Sequence, residues 1–280
     1  MQKYFSSPRE FNVMKYRHHR TLVTLAGLVA AGYFLSQYAS GETLVDAILD
    51  ALHIFATMLL TWSITREIDP DRPDSAIGAA AIAGVGVILL ASTTNLLASF
   101  TLILVMRALN HSTGLPFRLG DVLVTVILVG LTARSEQWVI GLVAGLAFWL
   151  DSVAEDPSPY ARINALIVVA MTLLIAYLSD ALEWSFVFTN ADIAALITAF
   201  VATRFVVPSL PDPLKSVGDY TGEPLDRRRV LYTITLMALT LLLVSWSGDD
   251  DTALGMLPLW AGLLALIVYH ARERFSEGKI

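Results

Sequence analysis

Six polar residues, Asp46, Asp50, His53, Thr57, Thr61 and Thr65, recur at intervals of four, three, four, four and four along an otherwise apolar stretch. At about 100° per residue they share one face of a helix. An aspartate and a histidine one turn apart suit proton binding or relay, because histidine titrates near neutrality, and the three hydroxyls extend the track. An ionisable residue inside an apolar segment is costly unless it meets a cavity or a partner. This face is therefore the leading candidate for a solute or proton path. The packing alternative has the threonines bonding carbonyls of their own helix while Asp50 and His53 join two helices.

The stretch ends in TREIDPDRPDS, four carboxylates and two guanidinium groups around Pro70 and Pro73. Asp69 and Asp71 offer hard oxygen ligands for a Mg²⁺ ion, and Arg66 and Arg72 suit a phosphate. Punctuation is the simpler account: the prolines stop the helix, Asp74 or Ser75 caps the next one, and Arg66 pairs with nearby acids. A second polar segment, RALNHSTGLPFRLGD, puts Arg107, His111 and Arg118 beside Asn110, Ser112, Thr113 and Gly114. That set fits a phosphate or lipid headgroup. It equally fits a turn, with Asn110 and Gly114 closing one helix and Asp121 capping the next.

What positions these groups is a membrane bundle. The chain has 280 residues, of which 55% are hydrophobic and 16% charged, with a mean hydropathy of +0.62. Apolar residues come in blocks near the 20 or so that cross a bilayer as helix. Within lipid every backbone polar group must be paired inside the protein, and continuous rather than alternating apolar runs select helices over a barrel. The expected fold is all-α, a polytopic transmembrane bundle of about ten spans at 21–39, 43–65, 76–92, 95–109, 121–134, 137–154, 161–179, 190–207, 229–247 and 253–271. The segments at 95–109 and 121–134 are short of a full crossing, and if that pair is re-entrant the count is eight. The layout is a basic N-terminal segment 1–20, one integral membrane domain 21–271 with a long loop near 208–228, and a tail 272–280.

With the N-terminus inside, eighteen of the nineteen Lys and Arg residues fall on inner segments, and Arg134 alone falls outside. The positive-inside rule then places both termini in the cytoplasm. The first apolar run is nearly a full span and Tyr38-Ala39-Ser40 is a poor cleavage site, so the first helix is read as uncleaved, and the expected location is the cytoplasmic membrane of a prokaryote. Trp184, Trp246 and Trp260 sit where aromatic residues anchor spans. The expected partner is the lipid bilayer, not nucleic acid. The net charge of −6 points to no particular ligand, and the absence of cysteine excludes thiol chemistry and disulfides.

Small residues at Gly78, Ala79, Ala80, Ala83, Gly84, Gly86, Gly141 and Gly145 fit close helix packing within the bundle. Trp62, Asp69 and Pro70 recur as Trp149, Asp156 and Pro157, and Thr65, Arg66, Pro70 and Pro73 as Thr203, Arg204, Pro208 and Pro211. A duplication of the kind transporters use fits this pattern, and so do generic helix-end residues. In the long loop, Pro224 and Asp226 start the ninth span, Arg227, Arg228 and Arg229 anchor at headgroups, and residues 218–222 fold over the inner mouth. No Gly-rich phosphate loop with Lys, H-E-x-x-H, G-x-S-x-G or prenyltransferase-type aspartate motif is present. No lysine lies within a span, which rules out a retinal Schiff base. The sequence names no cofactor and does not decide whether the protein is an enzyme. The leading reading is a permease-like protein for a small solute or proton. The alternatives are an enzyme acting on a phosphorylated lipid at the cytoplasmic face and a structural subunit.

Overall fold

The computed structural model describes residues 4–6, 11–90, 92–135, 137–182 and 189–276. Lys3, Arg9, Trp184 and Lys279 lie outside the described residues. The described chain is helical, with no strand: α1 (Arg17–Ala39), α2 (Leu44–Ile68), α3 (Pro73–Leu90), α4 (Leu96–Asn110), α5 (Leu119–Thr132), α6 (Val139–Val153), α7 (Ala161–Leu178), α8 (Asn190–Val201), α9 (Arg227–Ser247), the short α10 (Asp250–Leu254) and α11 (Leu257–Ser276). Among the described residues six helices are long and apolar enough to cross a membrane: α1, α2, α3, α7, α9 and the segment Asn190–Ser209 that α8 begins. Three more, α4, α5 and α6, are apolar but shorter.

Every apolar block read from the sequence is helical, and the differences lie at the ends. Pro73 opens α3 instead of closing α2, because the first turn has no use for the N–H that proline lacks. α8 passes into a π turn at Ala202–Val206 and a 3₁₀ turn at Val207–Ser209. The last apolar block splits, since Asp249 caps the five-residue α10 through Thr252 N (2.8 Å) and α11 starts only at Leu257. At the start of α5, Asp121 accepts the Arg118 N–H from inside the first turn (3.1 Å). Asp226 caps α9 through Arg228 N (2.8 Å), as the sequence suggests.

The helices run alternately between two ends of the bundle. At one end the loops after α3, α5 and α7 and the segment around α10 meet, tied by Asn95 N to Gly255 O (2.8 Å) and Gln137 Nε2 to Thr252 O (3.2 Å). At the other end the loops after α2, α4, α6 and α8 meet, through Asp71 and Ser216 N (2.7 Å), Arg72 and Glu273, and Thr113 O and Tyr220 N (2.9 Å). This second end holds all the described Lys and Arg residues except Arg134.

α2 packs against α1, α3, α4, α9 and α11. Its outer neighbours close an apolar cluster with Leu22, Ile54, Met58 and Ala80, while Ile64 and Ile68 join the main core built on α4, α6, α9 and α11. The small residues serve this internal packing. A Cβ on Gly141 would lie 2.1 Å from Thr172 Oγ1, and one on Gly145 would lie 2.3 Å from Val169 Cγ2, so α6 and α7 touch through bare backbone. On α3, a Cβ on Gly84 would lie 2.8 Å from Met58 Sδ. The repeated segments all end helices at the basic end, but their contacts differ. Asp69 is fully buried against Arg72 and Ser75, whereas Asp156 has φ 50° and contributes only its carbonyl, to Arg229.

Candidate functional site

The polar face of α2 divides in two. Asp46 is exposed and belongs to the helix start, where Thr43 Oγ1 donates to its carboxylate (2.6 Å) and accepts from its N–H (3.2 Å). Asp50 is half-buried, one turn before His53. His53 Nε2 lies 3.1 Å from Thr94 N and 2.8 Å from Thr94 Oγ1. A backbone N–H only donates, so Nε2 is the acceptor and the ring proton sits on Nδ1. The Thr94 hydroxyl then donates to His53, and the Thr57 hydroxyl, 2.6 Å away, donates to Thr94. One directed chain thus runs from buried Thr57 to His53.

Inward of Thr57 the pattern changes. Thr61 Oγ1 donates to the Thr57 carbonyl (2.7 Å) and Thr65 Oγ1 to the Thr61 carbonyl (2.8 Å), and all three threonines are fully buried. These hydroxyls are linked through carbonyls, which carry no exchangeable proton, so no hydroxyl-to-hydroxyl relay continues along the face. Thr65 packs against α11, where a Cβ on Gly262 would be 3.1 Å from its oxygen.

α2 nevertheless touches a cleft at each end. A cleft of about 810 Å³ opens at the end opposite the basic one, lined by His53, Thr94, Arg134, Gln137, Asp180 and Asp251 among others. A second, of about 380 Å³, opens at the basic end between Trp62, Arg66, Arg107, His18, His19 and Tyr220. Tyr220 and Asp219 belong to the long loop, which here lies over the mouth as its sequence suggests.

The two polar segments of the sequence do meet. Arg107 Nε donates to Glu67 Oε1 (2.9 Å), and Asn110 Nδ2 donates to Glu67 Oε2 and to its carbonyl (3.0 Å each). Glu67 is fully buried. Of the five phosphate or headgroup candidates, Arg66 and Arg107 share the smaller cleft, and Arg72, His111 and Arg118 do not.

Arg72 instead forms a bidentate pair with Glu273 (2.8 and 2.6 Å), bonds Asp69 (3.1 Å) and reaches His270 Nε2 (2.8 Å). Those two guanidinium bonds hold the Glu273 carboxyl below the usual carboxylate range. His270 Nδ1 contacts Ser209 Oγ (2.7 Å), which ties α11 to the turn after α8. Arg118 begins α5. Asp69 and Asp71 do not face a common point: Asp69 is taken up by Arg72 and Ser75, and Asp71 by the backbone N–H groups of Lys215 (3.1 Å) and Ser216 (2.7 Å). Among the described residues no group of three or more His, Asp or Glu is placed to hold a metal ion.

His111 belongs to a site that sequence reasoning missed. Its Nε2 lies 3.0 Å from Asp151 Oδ1 and 3.2 Å from Ser158 Oγ, and Asp151 also receives Arg229 Nη1 at 2.7 Å. Serine, histidine and aspartate together suggest a nucleophile triad, but a triad needs the serine and the acid on opposite ring nitrogens. Here both sit on Nε2, so the serine is not activated. Arg229 is 3% exposed and also donates to the carbonyls of Leu109, Glu155 and Asp156. It is therefore a buried clamp between α4, α6 and α9 and not the headgroup anchor expected. The available signal was Asp151, an ionisable residue inside an apolar segment.

Compared with known protein families, curated proteins and solved structures, the chain matches none. Function therefore has to be argued from these sites.

Proposed function

We propose that this is a permease-like protein of ten crossings, with both termini in the cytoplasm of a prokaryote, that moves a small solute along α2 between the two clefts. The orientation rests on the distribution of basic residues. In it α4, α5 and α6 cross as short, tilted helices buried by their neighbours. The observation that carries the reading is that α2 contacts both clefts, with His53 in one and Trp62 in the other. At 1.5 Å per residue, the interval between them is about 14 Å, roughly half the hydrocarbon thickness of a bilayer. A thin barrier between two polar vestibules is what alternating access requires. The break in the hydroxyl chain after Thr57 favours a solute over a bare proton.

The test is uptake by vesicles reconstituted with the protein, screened against small polar solutes and, with an internal pH indicator, against protons. For whichever species enters, Asp50→Asn and His53→Ala should each slow uptake at least about tenfold, the cost of losing one well-placed polar contact. Wild-type uptake by both variants would sink the mechanism.

A second reading has its own support. Arg66 and Arg107 converge in the inner cleft beside Trp62, whose buried indole N–H has no partner among the described residues. Arginine forks and an indole donor against aromatic walls suit a phosphorylated amphiphile. On that reading Arg66→Ala weakens binding to vesicles containing phosphatidic acid and not to neutral ones. Equal binding to both would remove it.

A further inference from the structure

We infer that the larger cleft, at the end opposite the basic face, binds a small zwitterion of the α-amino-acid class, with its carboxylate on Arg134 and its ammonium group between Asp180, Asp251 and Gln137. The inference rests on the reading of this cleft as the port of a solute, and it names the solute's chemistry.

Three observations carry it. Arg134 is the only basic residue among those described at this end, so it runs against the charge rule that the rest of the chain obeys. It nevertheless lies in the cleft of about 810 Å³, near the upper part of the roughly 300–1,000 Å³ typical of small-molecule sites. Second, Arg134, Asp180 and Asp251 line one cleft, yet no ion pair or side-chain hydrogen bond joins any of them to another described residue. Opposite charges held in one cleft without cancelling each other complement a dipolar ligand better than an anion, a cation or a neutral polyol. Third, Gln137 is 4% exposed and its Oε1 has no hydrogen-bond partner. Its Nε2 donates to Thr252 O (3.2 Å), which fixes the amide so that the oxygen is the orphan. A buried carbonyl oxygen without a donor is costly; it lies just beneath the cleft wall, and a small turn of the side chain toward the cleft would let an ammonium N–H satisfy it.

The frame around these groups is built before any ligand arrives. Asn95 N bonds Gly255 O (2.8 Å), Gln137 bonds Thr252, and Thr94 bonds His53 on α2. Three loops and one helix are thereby held together, and the ligand would touch the same Thr94 and His53 chain that leads inward to Thr57. Preorganised walls reduce the ordering cost of binding.

The test is isothermal titration of the full-length protein in detergent with glycine, proline, leucine and glutamine, and with acetate, ethylammonium and glycerol as probes of each half-ligand and of a neutral polyol. At least one amino acid should bind saturably, with acetate and ethylammonium at least about tenfold weaker, since each forfeits a charge-assisted contact. Arg134→Gln should lower amino-acid affinity at least about tenfold, and Arg162→Ala, at the opposite end, should not change it. Asp251→Asn provides the same test on an exposed side chain if Arg134→Gln fails to fold, with a loss of several-fold expected. The inference is overturned if no amino acid binds, if acetate or glycerol binds as tightly, or if both cleft variants keep wild-type affinity. Binding without uptake would retain this site and remove the transport reading. Uptake of an uncharged solute without amino-acid binding would do the reverse.

Discussion

The two ends of the bundle treat charge in opposite ways. At the basic end the buried carboxylates are knotted to arginines: Glu67 to Arg107, Asp69 to Arg72, and Asp151 to Arg229. At the other end Arg134, Asp180 and Asp251 stand at an open cleft without joining one another. Desolvated charge is tolerated only when paired and fully hydrogen-bonded, so the knots fix helix ends in one arrangement. Solvated charge needs no partner and stays available to a ligand. The residue types alone suggest the reverse, since the arginine-rich loops carry the more obvious chemistry.

The largest effect that would break this comparison is Arg229→Ala, which strands Asp151 in the core and should cost about 3–5 kcal/mol. Thermal or denaturant unfolding in detergent reads the loss, and the double variant Asp151→Asn with Arg229→Met should recover most of it. A single variant as stable as the wild type would mean that the clamp holds nothing. Next comes Thr94→Val, which removes the hydroxyl between Thr57 and His53 and should cost about 1–2 kcal/mol. Its effect on uptake should exceed that of Thr61→Val, because only Thr94 belongs to the directed chain.

A smaller effect is the pH dependence of the Arg72 and Glu273 pair. Arg72 depresses the Glu273 carboxyl in the folded protein. The pair therefore contributes stability above the unfolded pKa of about 4.3 and loses it as pH falls through the lower folded value. The melting temperature of Glu273→Gln should lie below that of the wild type at pH 7, with the gap closing at more acidic pH. A gap that widened on acidification would have the wrong sign. Smallest of all is Thr61→Val in stability, expected within about 1 kcal/mol, since its hydroxyl only adds a bond to a carbonyl already in the helix.

Much of the fold was legible because apolar runs and capping residues are local signals. Asp226 and Asn110 mark helix ends within one turn of where the ends fall, whereas Pro73, read as a stop for α2, opens α3. The site was less legible, because its contacts link residues far apart in the chain. Arg227, Arg228 and Arg229 read alike as headgroup anchors, yet successive residues on a helix point about 100° apart and only Arg229 turns into the bundle. Its partner Asp151 is 78 positions away. The spacing on α2 marks one helix face, and the structure buries its three threonines. Spacing carries no information on whether a hydroxyl bonds the next side chain or its own backbone, and that choice ends the relay at Thr57. Thr94, which completes the chain to His53, lies 41 residues from it.

The short interval on α2 between His53 and Trp62 has an electrical consequence. With water in both clefts of a protein seated in an energised membrane, most of the potential falls across about 14 Å of packed helix instead of the full 30 Å or so of lipid. The field along Thr57 and Thr61 is then about twice that in the surrounding bilayer. A unit charge crossing that interval gains the full 2.3 kcal/mol or so per 100 mV, whereas a zwitterion with no net charge crosses without electrical work. Uptake of an amino acid unaccompanied by an ion would therefore be indifferent to voltage, and any voltage dependence would count the ions that travel with it.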